Sequence, residues 1–236
     1  FEELVEIIRI LRAPGGCPWD AQQTHKSIRN EFIEETYEAV DAIDRDNATD
    51  LCEELGDVLL QILLHSQIAK EEDGFSIDDV INGISKKMIL RHPHVFGDVK
   101  VSGTEEVLNN WDAIKKVEKN QSSAADTLYS VPMSYPALMR ATKVVKRAQK
   151  AGVKAPSNEE IAKKITDIAN SISENVNAGD TKSVSANLGK IYFALASLAF
   201  GLKIDSEEML GRETDGFIKE FDRREKSNES IENMLS

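Results

Sequence analysis

Apolar residues recur every three or four positions along nearly the whole chain, which is the period of amphipathic helices. The pattern predicts a first helix from about Phe1 to Leu11, with Leu4, Ile7, Ile8 and Leu11 on one face, broken by Pro14-Gly15-Gly16. A second helix follows from about Ser27 to Asp44, and a third from about Ala48 to Glu72, stopped at Gly74. Ser76 with Asp79 three residues on reads as the N-cap of a fourth, which carries Val80, Ile84, Met88 and Arg91. It ends at His92-Pro93, because the residue before proline disfavours the α region. A fifth helix, about Glu105 to Asn120, contains Trp111.

The third helix stands out. Val58-Leu59-Leu60-Gln61-Ile62-Leu63-Leu64 is so apolar that burial on nearly every side is expected, and its one polar stripe runs Glu54, Asp57, Gln61, His65. Glu54 and Asp57, three apart, project to one side of the helix; Glu35 and Glu38 in Glu34-Glu35-Thr36-Tyr37-Glu38 do the same on the second. Acidic residues at this spacing usually form a solvated face. On a helix this apolar, the stripe instead faces a polar interior or a cavity. Two such helices packed together would gather four carboxylates, an arrangement that raises their pKa values or recruits a counter-ion.

Further along, Gln121 to Pro136 turns to Ser, Ala and Pro and reads as a linker between a domain of residues 1–120 and one of 137–236. Ala137 to Ala151 is a basic amphipathic helix closed by Gly152, with Arg140, Lys143, Lys146, Arg147 and Lys150. The last hundred residues hold a faded copy of the first half. Asn187-Leu188-Gly189-Lys190 repeats the frame of Glu54-Leu55-Gly56-Asp57, and Lys163-Lys164-Ile165-Thr166-Asp167 stands where Glu34-Glu35-Thr36-Tyr37-Glu38 stood. Of the four acids only an Asp persists, at 167, and Lys164 and Lys190 oppose a divalent ion by Coulomb repulsion. The second copy is therefore expected to be structural and inactive.

Charge sharpens this division. The net charge is -12; residues 1–120 hold 25 acidic and 13 basic side chains, and 121–236 hold 16 of each. A strongly negative domain repels phosphate backbones, so neither nonspecific nucleic-acid binding nor binding to an anionic membrane is expected. Val58 to Leu64, read as the longest apolar run, falls far short of the roughly 20 residues that span a bilayer. No signal peptide opens the chain, and two cysteines, Cys17 and Cys52, without zinc-finger partners suit a reducing cytoplasm. The start at Phe1 leaves room for further chain before it.

Carboxylates without His or thiolate partners favour hard cations. A di-iron bundle needs Glu-x-x-His, yet none of His25, His65, His92 or His94 has a Glu three residues before it. No twelve-residue EF-hand loop is present. Mg²⁺ with a phosphorylated ligand leads, with Mn²⁺ as a substitute.

The residues resemble the MazG family of nucleoside triphosphate pyrophosphohydrolases, in the all-α NTP pyrophosphatase superfamily. The likeness rests on Gly16-Cys17-Pro18-Trp19-Asp20 with Gln23-Thr24, the Glu-Glu-x-x-Glu and Glu-x-x-Asp motifs, Arg91-His92-Pro93-His94-Val95-Phe96, and Trp111 with Lys115. The segment from Val131-Pro132 to Ala148 is similar to the one joining tandem MazG domains. The resemblance implies an all-α fold of two helical-bundle domains and hydrolysis of an NTP or dNTP between the α and β phosphates, giving NMP and pyrophosphate. It implies Glu35, Glu38, Glu54 and Asp57 as Mg²⁺ ligands, Lys87 and Arg91 on phosphates, and Trp111 with Lys115 at the nucleobase. Glu34 is a candidate for orienting or deprotonating water, or else a subunit-contact residue, since it points about 100° away from Glu35. Trp19 is a candidate base lid. The competing readings are core packing for Trp111 and surface cations on an acidic domain for Lys87 and Arg91. In the second domain the counterparts of Lys87 and Arg91 are Gly216 and Glu220, and no Trp follows Trp111. The resemblance also implies a homodimer and a type that occurs fused behind a tetrapyrrole methylase domain. The competing expectations are a module that binds Mg-NTP without turnover and a protein-interaction module with a fortuitous acidic patch.

Overall fold

The computed structural model describes residues 1–118 and 123–235, and among them the chain is all-α, forming two compact units, Phe1–Lys115 and Lys116–Ser236. The expected linker start at Gln121 and the end of the fifth helix lie partly outside the described residues.

In the first unit α1 (Glu2–Arg12) ends in a tight reversal at Pro14-Gly15-Gly16. Gly15 has φ +86°, and a Cβ on Gly16 would lie 2.2 Å from the Ile10 carbonyl oxygen, so the chain passes there only without a side chain. A one-turn helix, α2 (Pro18–Gln22), follows. Arg12 then ties three segments together: its guanidinium donates to the Glu71 carboxylate (Nη2–Oε2 2.8 Å) and to the carbonyls of Asp20 and Gln23. Its side chain is 4 % exposed and Glu71's 38 %.

Helices α3 (Arg29–Asp44) and α4 (Ala48–Glu71) form an antiparallel hairpin. Asn47 accepts from the backbone N–H groups of Thr49 and Asp50, capping α4, while Arg45 bridges Asp41 (2.7 Å) and Asp50 (2.8 Å). The three-residue turn between the helices is thereby fixed and with it their register. Ile28, at the start of α3, packs with Ile8 of α1 and Leu63, Leu64 and Ile68 of α4 in the unit's core. Along helix α4, Val58 to Leu64 are all buried or half-buried, as their composition suggests. Its buried residues, Gln61 to Ala69, all lie in the half that α1 crosses, whereas Leu55 is 55 % exposed.

Helix α5 (Ile77–Arg91) starts at the Ser76/Asp79 capping box and stops at His92 before Pro93, as the sequence signals require. A short α6 (Pro93–Phe96) and then α7 (Thr104–Glu118) complete the sequence of helices.

The second unit contains α8 (Ala124–Tyr129), α9 (Ala137–Lys150), α10 (Asn158–Asn177), α11 (Thr181–Leu202) and α12 (Ser206–Lys226). The segment read as linker thus holds a helix, opened by a Ser123/Asp126 capping box and held to α9 by Arg147, which donates to the Thr127 carbonyl and the Ser130 hydroxyl. Glu207 of α12 accepts from the backbone N–H groups of Leu138 and Met139 at the exposed start of α9. The longest apolar stretch is in α11, not at Val58–Leu64: by length and composition α11 could cross a membrane, with mean hydropathy 1.2. Scattered Ser and Gly residues interrupt it and hide it from a count of consecutive apolar residues. It packs along α10 and α9 and leaves Tyr192, Phe193 and Leu195 exposed.

Candidate metal centre

The α3–α4 hairpin brings Glu35, Glu38 and Glu54 together, with a carboxylate oxygen of each within 4.8 Å of the others. Asp57 lies outside that closest group. Its charge is nevertheless the largest electrostatic influence on Glu35, and the second largest, after Glu38's, on Glu54. Both carboxyl groups are pushed above the ordinary Glu value. For Glu35 the causes are desolvation, then Asp57, Glu38 and Glu34; for Glu54, desolvation, then Glu38, Asp57, Glu53 and Glu35. Each acid is thus held in the field of its neighbours, the condition a divalent cation relieves. A donor set made only of carboxylate oxygens, open to water on one side, fits a hard cation that keeps part of its hydration shell. Glu34 is exposed, and its charge contributes to raising Glu35.

A second assembly forms around Trp111 on α7. The Arg91 Cζ sits 4.9 Å and the Lys115 Nζ 4.8 Å from its ring centroid, both within cation–π range. Arg91 is 6 % exposed, an unusual burial for a guanidinium that the indole face helps to offset. Lys87 stands one turn before Arg91 on α5 and is half-buried. Trp19 is 62 % exposed on α2, its carbonyl accepting from the Gln23 side chain.

One feature of the site escapes a reading of motifs. His25 and His65 stack with ring planes 7° apart and share a hydrogen bond between their Nδ1 atoms of 2.8 Å. Phe32 lies against His65, and Glu72 approaches His25 at 4.0 Å. Burial, then His25, holds the His65 pKa below its ordinary value, and the hydrogen bond between the two rings pins the Thr24–Ile28 turn to α4. The polar stripe Glu54, Asp57, Gln61, His65 foretold one partner; nothing in the spacing foretold the other.

In the second unit α10 and α11 pair as α3 and α4 do. Lys190 Nζ donates to Asn187 Oδ1 at 3.0 Å, so an ammonium meets the side chain standing at the Glu54 position. Glu220, at the Arg91 position, is bound by Arg223 and Arg224, which pull its pKa to about 2.

Comparison with known proteins agrees with this helical architecture. Residues 23–96 match the MazG nucleotide pyrophosphohydrolase domain. The chain is 37 % identical over 225 residues to the nucleoside triphosphate pyrophosphohydrolase/pyrophosphatase MazG of Thermotoga maritima, covering 95 % of this chain and 85 % of that protein. It is 36 % identical over 226 residues to the Escherichia coli K12 nucleoside triphosphate pyrophosphohydrolase, covering 94 % and 85 %. An uncharacterised Bacillus subtilis protein, YabN, is 46 % identical over 222 residues, which are 94 % of this chain but 45 % of YabN, so the chain spans less than half of that relative. Extended likeness of this kind, running through both units and over most of the Thermotoga and Escherichia proteins, shows that the chain belongs to the MazG nucleotide pyrophosphohydrolase family.

Proposed function

We propose that the first unit hydrolyses nucleoside triphosphates, ribo or deoxyribo, between the α and β phosphates, releasing NMP and pyrophosphate. The observation that carries this reading is the convergence of Glu35, Glu38 and Glu54 with Asp57 beside them, in a family whose relatives carry that activity in their names. These four side chains are the proposed ligands of Mg²⁺, with Mn²⁺ as a substitute. When bound, such an ion supplies charge neutralisation at the phosphates and acidifies a water.

The chain's own groups have separate tasks. Glu34, exposed and next to Glu35 on α3, is the proposed acceptor of the attacking water's proton. Lys87 and Arg91 bring positive charge to a strongly acidic domain and bind the phosphates of the leaving pyrophosphate. Trp111 stacks on the nucleobase, and because every base has a π-face this contact tolerates different bases. Lys115 on the same ring holds the indole in place. Trp19 covers the base from the α2 segment. The second unit keeps the helix pair and only one of the four acids, Asp167, so it is assigned a structural role, with residues 1–120 as the catalytic domain and 137–236 as the degenerate one. A cytoplasmic homodimer acting on small nucleotides, with no nucleic-acid or membrane partner, completes the reading.

The alternative, a module that binds Mg-NTP without turnover, is disfavoured by retention of all four acids, since the second unit shows how readily they are replaced. Glu38→Ala separates the readings from a merely acidic surface. With Mg²⁺ and each NTP or dNTP in turn, wild-type chain turns over and Glu38→Ala does not. Full activity in the variant overturns the assignment of the metal cluster.

A further inference from the structure

Resting on the metal-site reading above, we infer that Glu31 and Gln61 extend the centre one layer inward, as the acceptors that hold a water bound to the cation. The register of the hairpin places them. Counted from the charge-coupled Glu38/Glu54 and Glu35/Asp57, steps of three, four and three residues in opposite directions along the two helices put Glu31 and Gln61 at the next register position and Ile28 and Leu64 at the one after. The first two pairs are coupled through their charges, and the last is in the core. Glu31 and Gln61 are bracketed between them.

Both carry a defect that no neighbouring group repairs. Glu31 Oε2 and Gln61 Oε1 are buried oxygens without a hydrogen-bond partner, and Gln61 is 6 % exposed. Leaving such an acceptor unmade costs about 1–3 kcal/mol, so two of them at one register position favour a donor that arrives from outside the chain. Both atoms accept and neither donates. Their missing partner is therefore a donor such as water. A water on Mg²⁺ lies about 2.1 Å from the ion, and its acceptor lies about 2.7 Å beyond. Together these reach about 4.8 Å, comparable with the rise of about 6 Å over the four residues from Glu35 to Glu31 and from Asp57 to Gln61. A cation at the cluster thus orders a water whose protons point at these two oxygens, and Glu31 and Gln61 act as positioning residues by fixing it.

The test uses the full chain and Mn²⁺, with free Mn²⁺ read by its electron paramagnetic resonance signal. Gln61→Leu removes the acceptor with little change of volume. Its expected Mn²⁺ dissociation constant rises about tenfold, at the low end of the 10–100-fold range for outer-shell partners of metal ligands. The melting temperature of the metal-free protein is expected to hold or rise, because an unmet buried polar group is gone. A merely structural Gln61 would give the opposite pair, a lower melting temperature with unchanged affinity, and that result overturns the inference. Gln61→Met is the second variant should Leu pack poorly, and Mn²⁺ affinity within twofold of wild type in a folded Gln61→Met also overturns it. Wild-type chain that fails to bind Mn²⁺, or Glu38→Ala that binds it equally well, overturns the metal-site reading itself and the inference with it. Those outcomes are distinct from a wild type that binds and a Gln61 variant that binds alike.

Discussion

Replacing Arg12 by Met removes a group that ties α1, the α2 segment and α4 together. The guanidinium makes a paired contact with Glu71 and two hydrogen bonds to backbone carbonyls, at a side chain only 4 % exposed. Removing one partner of a fully buried pair costs about 3–5 kcal/mol because the other charge is stranded. Here Glu71 is 38 % exposed and rehydrates in part, which brings the expected loss to about 2–3 kcal/mol. In a unit of this size that lowers the melting temperature by roughly 10 °C. Calorimetry of the full chain reads it directly, and a shift under about 2 °C refutes the anchoring role. The pH dependence supplies an independent sign. Arg12, followed by Gln67, holds the Glu71 carboxyl below its ordinary value. A depressed acid stabilises the fold above the unfolded-state pKa and loses that contribution as pH falls through the folded one. The gap between wild type and Arg12→Met should therefore narrow in acid; a gap that widens in acid contradicts the ion pair. Arg12→Lys should recover only part of the loss, since an ammonium cannot serve Glu71 and both carbonyls with the same fork.

Other outcomes follow from the same contacts. Asn47→Ala should cost about 1 kcal/mol by uncapping α4, lowering the urea midpoint with an unchanged slope. Because Glu35 and Glu54 are raised, the metal-free fold should lose stability as pH rises from the ordinary carboxylate value through their folded ones, while Mn²⁺ affinity grows over the same interval. Thermal scans between about pH 4 and 7, with and without Mn²⁺, check both signs. Trp111→Leu should raise KM several-fold with a smaller effect on kcat, and a pure kcat defect would argue against base stacking. Lys190→Asp should leave the number of Mn²⁺ ions bound per chain unchanged, because Lys164 and Asn187 remain at the other ligand positions.

How much of this was legible in the sequence depends on the range of the interaction. Caps and breakers act within a few residues, so the Ser76/Asp79 box, the stop at His92-Pro93 and the bounds of α4 could be read from the chain. The short helices α2 and α6 each open on a proline in a segment with no apolar period, and periodicity does not register them. The two acidic pairs were visible because i, i+3 spacing is itself a statement about one helix face. That Glu35, Glu38 and Glu54 close to within 4.8 Å while Asp57 stays outside that group depends on how α3 leans on α4, a packing fact that no single-helix pattern contains. The same holds for His25, brought to His65 across forty positions, and for the two cations on Trp111. Apolar content reports burial only where another element covers it: Val58 to Leu64 are all buried or half-buried, whereas Leu55, three residues earlier, is 55 % exposed.

The most direct measurement is the identity of the products. The chain is incubated with Mg²⁺ and a nucleoside triphosphate, and the nucleotides and phosphates are resolved by anion exchange, beside a Glu38→Ala control. Cleavage between the α and β phosphates yields NMP and pyrophosphate in equal amounts, with nothing above background in the control. NDP with inorganic phosphate, or NMP and pyrophosphate at the wild-type rate from Glu38→Ala, would contradict the assignment of α–β hydrolysis to the carboxylates of α3 and α4.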